Sequence, residues 1–463
     1  MKRFLILYFS FLPYFLSAQT ERKKVFSYID FYQLVLTNHP VVKQADLTID
    51  YAQADLMMAK GQFDPKLESN FDRKSINNKE YYSHLDYALK VPVWGGIDLK
   101  VGREQNAGER LNPELSDNIS IIGLSVPLGR GLLIDQRRSV LLQSRIYQNM
   151  AVAERQKLVN KIMFSAAKDY WEWYYAFRNY ELQKEGYQLA KDRLDFIRTQ
   201  VSIGEKAGRD SVEASITVLS RSAELEQAKL DFTNYTLYLS NYLWSSDGLP
   251  LEIPEDAVPP AVPSRSLSDE QLQDFLRRAR LNHPDLLKLQ YKMEQLKVEE
   301  RFAKEFLKPK VDINLNAIDS PSYTFSDYSL LRTNQKVGVT FEFPLFLRKE
   351  RGKIQQVQIK QQETSLEQRQ VTREILNEVT AFYNEAIQLQ KQLQIQQLAT
   401  QNQEILVQAE IDLFNMGESS LFLINARESK LIEMRAKVES IKSKFEKSIA
   451  AIAYAAGQQD FNE

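Results

Sequence analysis

Apolar positions along the chain follow two periods, and the change from one to the other occurs twice. From about Phe26 to Thr37 the apolar content is Ile29, Leu34, Val35 and Leu36, which predicts a short helix. From Pro40 to Lys60, Val42, Ala45, Ile49, Ala52 and Leu56 recur at threes and fours, one buried face of a second helix. After Pro65 the period becomes 2. Leu67, Ser69 and Phe71 alternate with Lys66, Glu68, Asn70 and Asp72, and Leu85, Tyr87, Leu89 and Val91 alternate with His84, Asp86, Ala88 and Lys90. Ile97, Leu99 and Val101 follow the turn Pro92-Val93-Trp94-Gly95-Gly96, and a last run near 118–128 is apolar at Ile122, Leu124 and Val126. Later, Val311, Ile313, Leu315 and Ala317 form one alternating run and Val337, Val339, Phe341 and Phe343 another. Six amphipathic strands of about ten residues are predicted.

Two very long helices follow these strand regions. From Leu132 to Val201 there is no proline and one glycine, Gly186; from Lys353 to Asn415 there is neither. At 1.5 Å per residue each helix approaches roughly 100 Å. Ile375, Val379, Phe382, Ala386, Leu389 and Leu393 keep a three-and-four register through a glutamine-rich stretch, which predicts coiled-coil-like packing rather than low-complexity disorder. Gly204 with Gly208, and then Gly417, end the two helices, and return helices are predicted over about 210–244 and 421–456. Asp210 in the first tip and Ser419 or Ser420 in the second are suitable helix caps.

The chain is written twice. Asn38-His39-Pro40 returns as Asn282-His283-Pro284, and the offset of 244 positions that relates Pro40 to Pro284 also relates Pro65 to Pro309. Self-similarity on this scale means one architectural unit used twice. Proline disfavours helical geometry in the residue before it and suits a first helical turn, so His39 and His283 close one helix while Pro40 and Pro284 open the next. Asn38 is placed to cap locally. The expected organisation is a signal segment at 1–18, a first repeat at 19–248 with its tip near 204–209, a proline-rich linker at 249–266, and a second repeat at 267–463 with its tip near 417–420.

Composition narrows the chemistry. Among 463 residues, Lys plus Arg is 60 against 61 for Asp plus Glu, and there is no block of like charge, so no nucleic-acid partner is expected. There is no cysteine and there are three histidines, His39, His84 and His283. That inventory offers no thiolate nucleophile and no metal-ligand spacing, and no phosphate-binding or catalytic motif occurs. No enzyme, metal site or cofactor is expected. The two histidines beside prolines read as structural helix breaks, and Arg130, Arg137 and Arg138 as solvated or interfacial charges. At the N-terminus, Lys2-Arg3, an apolar run from Phe4 to Leu16 and Ser17-Ala18 read as a secretory signal cut after Ala18.

An alternating strand can cover a soluble core or span a membrane around a wet lumen. Here the chain is exported and no separate helix is left over to cover a sheet. Segments of about ten residues also have the length that tilted spanning strands need. Six strands do not close a membrane barrel, since single-chain barrels begin at eight and an open edge cannot face lipid. Several chains would have to share one barrel.

This pattern resembles the TolC-like outer membrane efflux proteins over essentially the whole mature chain. The resemblance rests on the duplicated NHP helix break, on the strand-to-helix passages Val126-Pro127-Leu128 and Phe343-Pro344-Leu345, and on the tips Val201-Ser202-Ile203-Gly204 and Phe414-Asn415-Met416-Gly417. The stretch from Phe414 to Phe422 looks like the form common in Bacteroidetes members. The fold it implies is an α+β membrane protein, a homotrimer of two-repeat chains. Its shared outer-membrane β-barrel, four strands per chain, continues into a long periplasmic α-helical barrel.

The function implied is the exit duct of a tripartite efflux or type I secretion system. Its partners would be a periplasmic adaptor and an inner-membrane RND or ABC pump, with lipid around the barrel. By matching position, Gly204, Gly208, Asp210 and Glu213 in the first tip and Gly417, Ser419, Ser420 and Leu421 in the second are the adaptor-docking and gate candidates. Where TolC itself carries an acidic ring, this chain has Leu423, Asn425 and Ala426. The first half spends 62 residues from Pro65 to Pro127 against 35 from Pro309 to Pro344, room for an additional hairpin around Trp94. A non-channel coiled-coil scaffold with a soluble sheet is the competing reading.

Overall fold

In the computed structural model the described residues are 24–108, 118–254, 256–262, 265–319 and 334–458. The expected signal segment lies outside them. The elements in order are β1 (Lys24–Val25), α1 (Tyr28–Asn38), α2 (Pro40–Gly61), β2 (Lys66–Ile76), β3 (Lys79–Pro92), β4 (Asp98–Ala107), β5 (Asn118–Pro127), α3 (Gln136–Ser202) and α4 (Gly208–Ser240). Then come β6 (Ala257–Val258), α5 (Asp269–Asn282), α6 (Pro284–Glu305), β7 (Lys310–Asp319), β8 (Gln335–Glu342), α7 (Arg348–Asn415) and α8 (Leu421–Ala455). Chain contacts divide the protein into two units, and α1, α3, α7 and α8 each contribute a segment to both.

One unit comprises 1–35, 169–265 and 393–443. Its centre is aromatic. Tyr170, Trp173 and Tyr174 on α3 are almost fully buried, and Phe31 of α1 stacks on Tyr170 with ring centres 5.4 Å apart. Buried rings of this kind need partners for their polar ends. The Tyr170 hydroxyl donates to the Phe26 carbonyl at 2.9 Å, the Trp173 indole to Thr236 Oγ1 at 3.0 Å, and the Tyr174 hydroxyl to Glu439 Oε2 at 2.7 Å. Burial raises the Tyr170 hydroxyl far above the usual tyrosine pKa. A short parallel pairing joins Lys24 and Val25 to Ala257 and Val258, so part of the proline-rich linker is a strand.

The second unit comprises 36–168, 266–392 and 444–463. It holds one six-stranded sheet in the order β2-β3-β4-β5-β7-β8, antiparallel throughout. The sheet therefore has six strands per chain where the resemblance implies four. The surplus is physically explained by the first-half sequence: Asn77 and Asn78 both take positive φ, 52° and 60°, the two-residue turn whose twist suits a tight hairpin. Gly95 and Gly96 turn the chain again after Trp94. Both hairpins stay in register with β5 and β7, and the Trp94 turn is an internal turn of the sheet rather than a separate excursion.

The helical part of this unit is packed around small residues. Ala279 of α5, Leu286 of α6, Ile375 and Val379 of α7, and Ala455 and Ala456 at the end of α8 form one buried cluster. Alanines at the contact let the helix backbones approach closely. Among the described residues no helix is long and apolar enough to cross a membrane.

Candidate functional site

Two surfaces have the chemistry of a site, one in each unit. In the first unit the two helical hairpins end in matching turns. Gly204 and Gly417 have φ of +83° and +82°, a left-handed conformation that only glycine adopts without strain. Around Gly204, its N–H bonds the Val201 carbonyl at 3.1 Å and the Glu205 N–H bonds the Gln200 carbonyl at 2.9 Å. Around Gly417, the bonds are Gly417 to Phe414 at 3.0 Å and Glu418 to Leu413 at 2.9 Å. Each pair closes the last carbonyls of a long helix in a Schellman arrangement.

The caps differ from expectation at the first tip. Helix α4 begins at Gly208 with Ala207 at the N-cap and no side-chain cap; Asp210 lies in the first turn, its N–H bonded to the Ala207 carbonyl at 3.0 Å. Asp210 is therefore not the cap, because the helix starts two residues before it, and its charge acts on the helix N-terminus instead. Glu213 lies one turn on in the same helix, half-buried, with Oε1 lacking a hydrogen-bond partner among the described residues. At the second tip Ser420 is the cap, accepting from the Leu423 N–H at 3.3 Å. Ser419 instead hydrogen-bonds the Glu410 carboxylate.

The two tips form one body. Leu194 and Ile197 of α3, Ala214 of α4, Phe414 of α7, and Leu421 and Ile424 of α8 are buried together, with the Lys206 ammonium 4.4 Å from the centre of the Phe414 ring. Leu421 is thus a core residue that fixes the second tip to the first. Behind this layer Arg193 reaches both carboxylate oxygens of Glu428, and Asn425 donates to Thr217 Oγ1 at 3.0 Å. Asn425 is thereby engaged across the hairpins. The outward surface of the tips carries apolar side chains among exposed charges: Met416 is 72% and Phe422 67% exposed, Ile203 and Leu423 are exposed as well, and Glu205, Arg209 and Glu418 stand beside them. The sequence reading named the glycines and caps as contact candidates and not these four, although Ile203 and Met416 directly precede the tip glycines and Phe422 and Leu423 lie in the first turn of the return helix.

In the second unit the sheet has one apolar and one polar face. The register lines up Leu67, Leu89, Val101, Ile122, Ala317 and Gln335 across the strands, and beside them Val91, Leu99, Leu124, Leu315 and Val337. Much of this apolar face is uncovered: Leu67 is 80%, Phe341 69% and Val339 66% exposed. On the opposite face the charges pair across strands, Lys100 with Asp86 at 3.3 Å and Lys90 with Asp98 at 3.6 Å, and His84 hydrogen-bonds Asn106. An exposed apolar band backed by a wet, charged face is the pattern of a membrane barrel wall.

The predicted helix breaks lie in the same unit and are alike in detail. His39 and His283 are extended residues between consecutive helices, and each imidazole Nδ1 accepts from the N–H two residues on. The cap is thus the histidine. Asn38 and Asn282 are the last residues of α1 and α5 and do not cap the following helix. Burial pushes both imidazole pKa values down. Among the described residues no group of His, Asp or Glu is placed to hold a metal ion.

Arg137 and Arg138 are not solvated charges. Between β5 and α3 the chain turns through residues 128–135, and Arg138, buried, donates to the carbonyls of Gly131, Leu132 and Leu133 and to Asp135. These carbonyls precede the helix and have no ladder partner, so a guanidinium with five donors replaces one. Arg137 bonds Asp98 at 2.7 Å, and Arg130 lies over the Phe306 ring.

Residues 275–457 match the family model of the outer membrane efflux protein. No curated protein sequence matches. Solved structures with the same fold include the CmeC outer membrane channel of Campylobacter jejuni, 14% identical with a TM-score of 0.65 over 93% of this chain and 85% of that one. The open state of the MtrE outer membrane channel of Neisseria gonorrhoeae is 14% identical, with a TM-score of 0.67 over 94% and 90%. The outer membrane protein VceC of Vibrio cholerae is 14% identical, with a TM-score of 0.63 over 92% and 95%. The chain therefore carries the outer membrane efflux protein family's pattern at residues 275–457, and the fold of the TolC-like channels along more than nine-tenths of its length.

Proposed function

We propose that this protein is the outer-membrane exit duct of a tripartite efflux or type I secretion system, assembled as a homotrimer. The observation that carries the reading is the six-stranded sheet with an uncovered apolar face and a charge-paired opposite face. Such a sheet satisfies its backbone within lipid only as part of a closed barrel. The sheet would sit in the outer membrane with its polar face lining the pore, and the helical hairpins would lie in the periplasm. Transport through the duct would be passive, with energy supplied by an inner-membrane RND or ABC pump. A periplasmic adaptor would dock on the tips, where Ile203, Met416, Phe422 and Leu423 offer an exposed apolar surface held in shape by Gly204 and Gly417.

The test is reconstitution of the purified protein into planar bilayers. Discrete, long-lived conductance steps are expected, and their absence under all conditions of voltage and salt would count against a duct. The competing scaffold reading makes the opposite prediction in a simpler assay: a soluble sheet would be released from membranes by carbonate or high salt, and an integral barrel would remain.

A further inference from the structure

We propose that the cavity beside the second helix break binds a small organic dication, an alkyl diamine of the polyamine class. The cavity lies within the second unit and has a volume of about 530 Å³, inside the range of small-molecule sites. It is bounded by α3, the start of α6, α7 and the end of α8. The duct reading does not require it, and the inference does not rest on that reading.

Charge is the first reason. Three lysines line the cavity, and each already has a carboxylate: Lys157 bonds Asp285 at 2.7 Å, Lys292 bonds Glu367 at 3.1 Å, and Lys288 pairs with Glu154. Two further carboxylates line it without an ion-pair partner. Glu374 accepts from Gln370 at 2.9 Å, and Glu378 has no hydrogen-bond or ion-pair partner among the described residues. They are four positions apart on α7 and so share one face, where like charges repel. Two uncompensated negative charges call for two positive ones.

The second reason is an unmet acceptor. Asn160 of α3 lines the same cavity at 2% exposure, and its Oδ1 has no hydrogen-bond partner among the described residues. Buried polar atoms are nearly always paired, so an orphaned acceptor in a cavity wall marks a place for a donor. Glu374 and Glu378 are exposed, so acceptors stand at both the buried and the open side. Met150, Leu289 and Val371 add apolar lining. An ammonium has three donors and no acceptor. A diamine sets one ammonium on the glutamates and the other toward Asn160, with its methylenes against the apolar lining. Among the described residues no group of three His, Asp or Glu is placed to hold a metal ion, which leaves the organic dication.

The repeat supplies the third reason. The offset of 244 positions maps Asp285, Lys288 and Lys292 onto Val41, Gln44 and Thr48. The first half makes the same histidine-capped break without this charged set, so the break itself does not demand it.

The test is a titration of putrescine into the purified full-length protein in detergent, followed by calorimetry and by thermal unfolding. Saturable binding of one putrescine per chain is expected, with a raised unfolding midpoint. The singly charged n-butylammonium, with the same carbon chain, should bind at least about 10-fold more weakly. Equal affinity for the two amines would overturn the site, as would magnesium chloride giving the same midpoint shift at matched ionic strength.

Variants locate the binding. E374Q with E378Q should abolish the response to putrescine while raising the midpoint of the ligand-free protein, because it removes a like-charge repulsion; unchanged putrescine affinity in this variant would overturn the proposal. E378K supplies a cation from the chain itself and should have both effects, since a lysine four residues after Glu374 pairs with it. N160L probes the buried side: it should weaken putrescine and leave n-butylammonium unchanged, and an equal loss for both would overturn the two-ended binding mode.

Discussion

His39 and His283 occupy the same backbone conformation, φ −63° and ψ 133° against φ −64° and ψ 128°, and make the same bond through Nδ1, at 3.1 and 3.2 Å. A neutral ring with its proton on Nε2 is required, since a protonated ring has no acceptor. The histidine does what serine or aspartate does at most helix starts. Proline follows because the first helical N–H would be unpaired anyway.

Removing that cap is expected to cost about 1 kcal/mol per site. H283A should lower the thermal unfolding midpoint, and H283N, which keeps an acceptor oxygen, should restore most of it.

The same pair predicts a pH dependence. Burial lowers both imidazole pKa values from the usual 6.5, so the folded state favours the neutral ring. The unfolded chain then takes up protons first: stability is complete above 6.5 and falls as pH drops through the lower folded values. Unfolding followed from pH 8 to pH 5 should show this loss, and the double variant H39N with H283N should flatten it.

At the tips, Gly417→Ala and Gly204→Ala each place a Cβ in open space, with nothing within 4 Å. The cost is then conformational strain alone, roughly 1–2 kcal/mol. The variants should fold and assemble with a lowered midpoint. If the tips are the adaptor surface, M416D with F422D should weaken adaptor binding in a pull-down with little change in stability, because both side chains are exposed.

Behind the tips, Arg193 and Glu428 form a largely buried pair, their side chains 14% and 10% exposed. Removing one partner strands the other charge, at a cost of about 3–5 kcal/mol. R193M alone should destabilise strongly, and R193M with E428L should recover much of the loss; additive losses in a double-mutant cycle would argue against a coupled pair.

Arg138 has a comparable role at the strand-to-helix crossing. R138M leaves the carbonyls of Gly131, Leu132 and Leu133 without their donor, and each buried unpaired group costs about 1–3 kcal/mol. Loss of assembled protein from the membrane fraction is the expected result.

The sequence by itself determined the elements. Changes of hydrophobic period placed the strands and long helices, glycines marked the tips, and the NHP triplets marked the breaks, because each of these is a local property of backbone and side-chain spacing. It did not decide which residue caps: Asn38 and Asp210 have capping chemistry, but cap geometry is set by where the helix begins, and the structure begins the helices at Pro40 and Gly208. Nor could it show that Arg138 is buried, since an arginine near a helix start is charged in any reading until a row of unpaired carbonyls is placed around it. Alternation counts the six strands, but that all six join one sheet was decided only by the fold. Two positive-φ asparagines make a hairpin locally, but whether that hairpin joins the sheet depends on hydrogen bonds between β3 and β4, formed by residues whose alternation is equally compatible with a loop outside the wall.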